Sequence, residues 1–261
     1  MDDWFHSQSE TSVWEHIEAL RTMLFRSIGM FLLLCIPSWH FAQPILDWLL
    51  KESVPQEFTL HYFTVVEPFI TLIKLSGVLA FLGSLPFTLY FIWQFVSPAL
   101  MYDEKKAIVP LFIAAFFLAY AGIALTYFLI MPKMLQFSLS FADSTMTPVL
   151  GIGSFVSLML SLMLASAILF QFPIILYILL TMGIITSESL TKKRSVFIVV
   201  ILIISALLTP PDVISQLMLA LPTWLLFEIT LLTFRLHKQK DPSLKLYLEA
   251  DRQSQQKESK T

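Results

Sequence analysis

Hydrophobic positions along this 261-residue chain do not alternate with polar ones; they gather into runs of roughly 20 residues separated by short polar segments. Each run is about as long as a helix must be to cross a bilayer. Six such spans are predicted, over 23–41, 69–96, 108–131, 155–182, 196–208 and 213–234. The leader before the first span holds Asp2, Asp3, Glu10, Glu15 and Glu18. It lacks the basic start and small-residue cleavage site of a removable signal, so the first span is expected to stay attached.

Charge orients the spans. Short cytoplasmic loops are enriched in Lys and Arg. With the N-terminus inside, the inner segments carry Arg21, Arg26, Lys105, Lys106, Lys192, Lys193, Arg194 and the tail from Arg235 to Lys260. The outer segments hold Lys51 and Lys133, with Lys74 entering the second span from that side. Both termini are therefore expected in the cytoplasm. The chain divides into a six-span membrane domain, 1–240, and a charged tail, 241–261, whose Lys, Glu, Gln, Asp and Ser cannot bury enough apolar surface to fold. The basic start of that tail suits an anionic lipid surface.

Composition narrows the chemistry. Hydrophobic residues make up 56% and charged ones 14%, against about 25% charged in soluble domains, which excludes an ordinary soluble enzyme. Seven glycines leave little material for a glycine-rich filter or nucleotide loop, and Cys35, the single cysteine, forms no intrachain disulfide. His6, His16, His40, His61 and His237 are too scattered for a metal site.

The fifth and sixth spans are unusual. Between Arg194 and Pro210 only about 14 residues are free to be helical, or about 21 Å, against a hydrocarbon core of about 30 Å. The sixth span carries Pro222 in its middle and Glu228 beyond it. Either this corner thins the bilayer or leans on partner helices, or the fifth span simply tucks against its neighbours.

Polar side chains inside spans are costly and hence candidates for function. Glu67 and Lys74 stand seven residues apart on one face at the outer end of span two; an interfacial or structural pair is the plainer reading. Glu228 sits near the inner end of span six. Gln171 lies well inside span four beside Pro173, which frees a carbonyl one turn earlier. It falls close to the small-residue stripe of Ser157, Ser161 and Ala165, a face suited to intramolecular packing or to another protein's transmembrane helix.

On the inner side, Ser12 and Glu15 have capping-box spacing, so a helix is expected to start there and run into span one through Glu18 and Arg21. The loop after span two runs from Phe95 through Leu100, Asp103 and Glu104 to Lys106. Carboxylates on an otherwise basic face suit a cationic partner, because they pair guanidinium groups bidentately; a solvated loop is the alternative.

These segments, taken in order, resemble the TatC family, the multi-spanning core subunit of the twin-arginine protein translocase. The likeness rests on His16 to Arg21, Pro68-Phe69 leading to Lys74-Leu75, Phe95 with Pro98-Ala99-Leu100 and Glu104, Phe172-Pro173, Lys192-Lys193-Arg194, Thr209-Pro210-Pro211-Asp212, Ser215-Gln216, Pro222 and Phe227-Glu228. The resemblance implies an all-α integral membrane protein of six helices in a glove-shaped bundle, both termini inside, with short fifth and sixth helices. It implies a non-enzymatic receptor in the bacterial cytoplasmic membrane, without cofactor or metal. Such a receptor takes Arg-Arg signal peptides of folded cargo, works with TatA-like and TatB-like single-helix subunits, forms a homo-oligomer within its complex and uses the proton gradient; no nucleic acid is involved.

Glu104, Phe95, Leu100 and Arg21 match the family's signal-binding positions. Ala19 stands where the family has Glu, with Glu18 one residue earlier and Glu15 a further acidic candidate. A one-residue shift turns a side chain by about 100° on a helix. Gln171 stands where some relatives carry Glu, and Asp212 and Gln216 match positions of translocation or partner contact. The competing class is a small secondary transporter with a midplane site near Glu67, Lys74 and Gln171, which predicts an inverted repeat that the two halves do not display.

Overall fold

Each apolar run is helical. A computed structural model describes residues 2–53, 60–99, 102–140, 149–209 and 213–240, with side chains described within 14–51, 53, 60–98, 110–140, 149–209 and 213–236. The chain order is α1 (Asp2–Ser53), β1 (Leu60–His61), α2 (Glu67–Val96), a 3₁₀ turn (Ser97–Ala99), α3 (Tyr102–Leu125), a π turn (Thr126–Ile130), α4 (Met131–Leu139), β2 (Leu150–Gly151), α5 (Ile152–Leu169), α6 (Phe172–Thr181), α7 (Ser187–Lys192), α8 (Arg194–Leu208) and α9 (Val213–Lys240). Among the described residues, five stretches are long and apolar enough to cross a membrane: 14–51, 67–96, 110–139, 152–181 and 213–236. The 15-residue α8 is the shorter sixth. The charged tail 241–261 lies outside the described residues.

Two expectations are corrected. Helix α1 begins at Asp2, ten residues before the expected Ser12 start. The sixth span is not short: α9 runs 28 residues through Pro222. Proline removes one backbone donor, but Leu219, Ala220 and Thr223 around it are buried, and the Thr223 hydroxyl donates to the Leu219 carbonyl at 2.8 Å, so packing carries the helix past the break.

The chain forms two compact units, one of residues 1–116 and 144–160, the other of 117–143 and 161–261. In the first, α1 and α2 form an antiparallel hairpin. Trp39 meets Phe69 edge-on at 5.9 Å near one end, Leu34 lies against Gly83 midway, and His16 stacks on Phe95 at 4.5 Å at the other end. The 52 residues of α1 reach about 78 Å, far more than a bilayer core needs. Strands β1 and β2 pair in parallel, Leu60 beside Leu150 and His61 beside Gly151, a contact the all-helical reading did not foresee.

In the second unit, the third span is bent out of regular α geometry by the π turn. Pro132 follows two residues after the turn; its ring has no donor for the Phe128 carbonyl, and the Met131 N–H reaches back five residues to the Thr126 carbonyl. A Cβ on Gly122 would lie 2.9 Å from the Ser166 carbonyl oxygen, so glycine permits the close approach of α3 to α5 there, and the buried hydroxyls of Thr126 and Ser166 share a hydrogen bond. The core of this unit holds Leu176, Leu180, Leu190, Ile201, Phe227 and Phe234. Phe197 stacks on Phe227 at 5.3 Å, and Arg194 pairs with Glu228 at 3.1 Å, tying the start of α8 to α9.

Candidate functional site

On α1, Glu15, Glu18, Ala19, Thr22, Met23 and Arg26 recur at steps of three and four residues and therefore share one stripe. On α2, Phe91, Gln94 and Phe95 do the same in the last turns. The two stripes line a groove of about 360 Å³. Its wall is held by the His16–Phe95 stack and by Arg26, whose Nη1 donates to Gln94 Oε1 at 3.1 Å. Both Glu15 and Glu18 are exposed.

Of the signal-binding candidates, Glu15, Glu18 and Phe95 are brought together here. Arg21 is not among the lining residues; its guanidinium lies over the Phe25 ring, 5.5 Å from the centroid, a cation–π contact. Glu104 falls in the first turn of α3, and its side chain lies outside the described ones. Leu100 lies outside the described residues altogether.

Glu67 and Lys74 do not bond one another in the described contacts; both reach the start of α5. The Glu67 carboxylate accepts from the backbone nitrogens of Phe63 at 2.7 Å, Thr64 at 3.3 Å and Gly153 at 2.7 Å. Lys74 Nζ donates to Ser157 Oγ at 2.8 Å. Gly153 and Ser157 are one turn apart on α5, as a shared face requires. A Cβ on Gly153 would sit 2.5 Å from Glu67 Oε1. The geometry is that of a structural clamp.

Span four is interrupted at Phe170 and Gln171, and Pro173 opens α6. Gln171 is half-buried at that junction, and its Nε2 lies 3.4 Å from the Ala167 carbonyl. Of the proposed stripe, Ala165 is buried while Ser157 and Ser161 are half-buried. Gln216, near the start of α9, donates from Nε2 to the Leu202 carbonyl of α8 at 3.0 Å, bracing the turn between these helices. Asp212 lies outside the described residues. Among the described residues, no group of three His, Cys, Asp or Glu is placed to hold a metal.

Residues 15–222 match the family of the Sec-independent protein translocase protein TatC. The chain belongs to the TatC family. It is 36% identical over 229 residues to the TatC of Haemophilus influenzae, covering 87% of this chain and 90% of that one. It is 36% identical over 231 residues to the TatC of Aquifex aeolicus, covering 87% and 95%. Identity to the Escherichia coli K12 TatC is 34% over 217 residues, covering 82% and 84%. A crystal structure described as the twin arginine translocase receptor TatC in DDM superposes with a TM-score of 0.75 at 34% identity, over 84% of this chain and 98% of that one. This TatC family member is thus a multi-pass integral membrane protein and a translocase component, not an enzyme.

Within this TatC sequence, motif matching overlooked Arg26 and Gln94, which belong to no quoted motif. The signal was the spacing: eleven residues separate Glu15 from Arg26, three turns of one helix, with Glu18 and Thr22 between. Extending that stripe would have put Arg26 beside the acids.

Proposed function

We propose that this protein is the receptor subunit of a twin-arginine translocation system and that its α1–α2 groove captures the paired arginines of a signal peptide. The observation that carries the reading is the convergence of Glu15, Glu18 and Phe95 on one groove in a TatC family chain. Carboxylates pair guanidinium groups bidentately, which an ammonium cannot reproduce, and that selects Arg-Arg over Lys-Lys. The ring of Phe95 adds a face on which a guanidinium stacks. Glu104 is the main carboxylate, joined by Glu18 or Glu15, with Leu100 and Arg21 nearby. Glu18 takes the place of the family acid missing at Ala19.

In this reading both termini are cytoplasmic, the groove faces the cytoplasm, and cargo leaves at the expense of the proton gradient. TatA-like and TatB-like single helices dock near Gln171 and along the α8–α9 corner with Asp212 and Gln216, and the subunit assembles with copies of itself. The transporter reading is the weaker one, because Glu67 and Lys74 are already engaged by Gly153 and Ser157.

The test is photocrosslinking from positions 18 and 104 in membranes to an Arg-Arg signal peptide and to its Lys-Lys version. Crosslinks that require the arginines are expected. Equal crosslinking of both peptides, or none with the protein folded and inserted, overturns the assignment, as does normal twin-arginine transport by Glu104→Ala in cells lacking the native subunit.

A further inference from the structure

The groove between α1 and α2 is not acidic throughout. Glu15 and Glu18 line one end, and Arg26 lines the other with Gln94 beside it. At 1.5 Å per residue, Arg26 stands about 12 Å beyond Glu18 along α1, on the side that leads to the middle of the apolar stretch 14–51.

Gln94 fixes how this cation is presented. A guanidinium only donates, so the Gln94 amide turns its oxygen to Arg26 Nη1, 3.1 Å away, and its NH₂ elsewhere. That contact occupies one of the five Arg26 N–H groups and is the hydrogen bond Arg26 makes among the described residues. An arginine that merely snorkels extends away from the protein to water or lipid headgroups, whereas Arg26 is turned across to α2 and lines the groove. Both side chains are exposed. This end of the groove therefore offers N–H donors and a positive charge, the opposite of what Glu15 and Glu18 offer.

We infer that Arg26 is a specificity-determining residue: it selects signal peptides with an acidic side chain three or four residues after the arginine pair and rejects those with a cation there. The inference rests on the reading of this groove as the receptor for the pair. Its spacing follows from length, because extended peptide advances about 3.3 Å per residue and the separation of Glu18 from Arg26 is about 12 Å. Its direction follows from the order of a signal, whose basic start precedes its apolar part. With the arginines at the acidic end and the apolar part bound for the bilayer, the residues after the pair pass Arg26. A carboxylate there pairs with the guanidinium, and a lysine meets a like charge.

The test is a titration of labelled Arg-Arg signal peptides against the full chain in lipid nanodiscs. The peptides carry Glu or Lys at the third or fourth residue after the pair, or at the fourth residue before it. An exposed ion pair shifts binding by up to about fivefold, and like charges oppose it by a similar factor. After the pair, Glu is therefore expected to bind roughly tenfold tighter than Lys; before the pair, Glu has no such advantage. Arg26→Gln removes the preference while leaving the Arg-Arg over Lys-Lys difference intact, and Arg26→Glu inverts it in favour of Lys. Equal binding of Glu and Lys after the pair, the same preference before it, or a preference that survives Arg26→Gln would each overturn the assignment. The peptide series on the unaltered chain decides by itself should a variant fail to insert. Loss of the Arg-Arg dependence overturns the receptor reading, and the role of Arg26 with it; an intact Arg-Arg dependence without the Glu preference overturns the role of Arg26 alone.

Discussion

Glu67, in the first turn of α2, accepts a hydrogen bond from the backbone nitrogen of Gly153 at 2.7 Å, so one carboxylate closes the loop before its own helix and holds the beginning of α5. A glutamine there exchanges one acceptor oxygen for a donor, which faces an N–H instead of receiving one. Glu67→Gln is expected to lower the thermal midpoint in detergent. Gly153→Ala is expected to lower it further, because its Cβ meets the carboxylate at 2.5 Å. Two variants as stable as the parent chain would dismiss the clamp.

Gly122 lets the third and fourth spans touch through backbone. In Gly122→Ala the new carbon lies 2.9 Å from the Ser166 oxygen and 3.0 Å from the Phe170 ring. Overpacking of this kind costs about 1–3 kcal/mol, to be read from denaturant unfolding in mixed micelles. A neutral result would mean that α5 shifts freely at this point.

Phe227 is completely buried and stacks on Phe197. Phe227→Ala is expected to destabilise the second unit by about 3–5 kcal/mol, through lost contacts and the cavity left behind. Protease sensitivity of the α8–α9 region gives the local readout. Loss of resistance elsewhere, with this region intact, would contradict it.

The Arg194–Glu228 pair behaves differently, with side chains 44% and 26% exposed. Neither side chain is buried within the protein, so Glu228→Gln is expected to change stability by no more than about 1 kcal/mol. A larger loss, insensitive to salt, would show that the pair is shut off from solvent in the membrane.

Signal-peptide affinity at the Glu15–Glu18 groove is expected to fall as ionic strength rises, since exposed charges are screened over about 8–10 Å. Glu18→Gln should weaken binding by roughly tenfold, the scale of one charge-assisted hydrogen-bonded pair, and flatten the salt dependence. Titration of the labelled peptide at two salt concentrations is the measurement. An unchanged slope would remove Glu18 from the contact.

The spans were legible because apolar run length has few other meanings. The short α8 followed from the distance between Arg194 and Pro210, whereas span four, read as one run over 155–182 with a carbonyl freed by Pro173, is broken at Phe170 and Gln171. Contacts across elements were not legible. Glu67 and Lys74 were rightly placed on one face, but their partners, Gly153 and Ser157, lie more than 80 residues away, and only folding selects them. The Ser12–Glu15 spacing offered a local helix start that the longer α1 overrode. In the candidate groove, Glu15, Glu18 and Phe95 were named from motifs, whereas Gln94 required knowing which face of α2 meets Arg26.

The π turn at Thr126–Ile130 also says something about length. Ile130 and Met131, four and five residues after Thr126, are both buried, and Leu135, nine residues after it, keeps to the face of Met131. A regular α-helix would keep that face with steps of four and eight. The wide turn thus absorbs one surplus residue without rotating what comes after it. A chain lacking one residue between Thr126 and Met131 would restore regular winding with the same face inward, whereas one with an added residue would swing the rest of the span by about 100°. Insertions and deletions at this point are therefore not equivalent: the span has room to shorten by one, and none to grow.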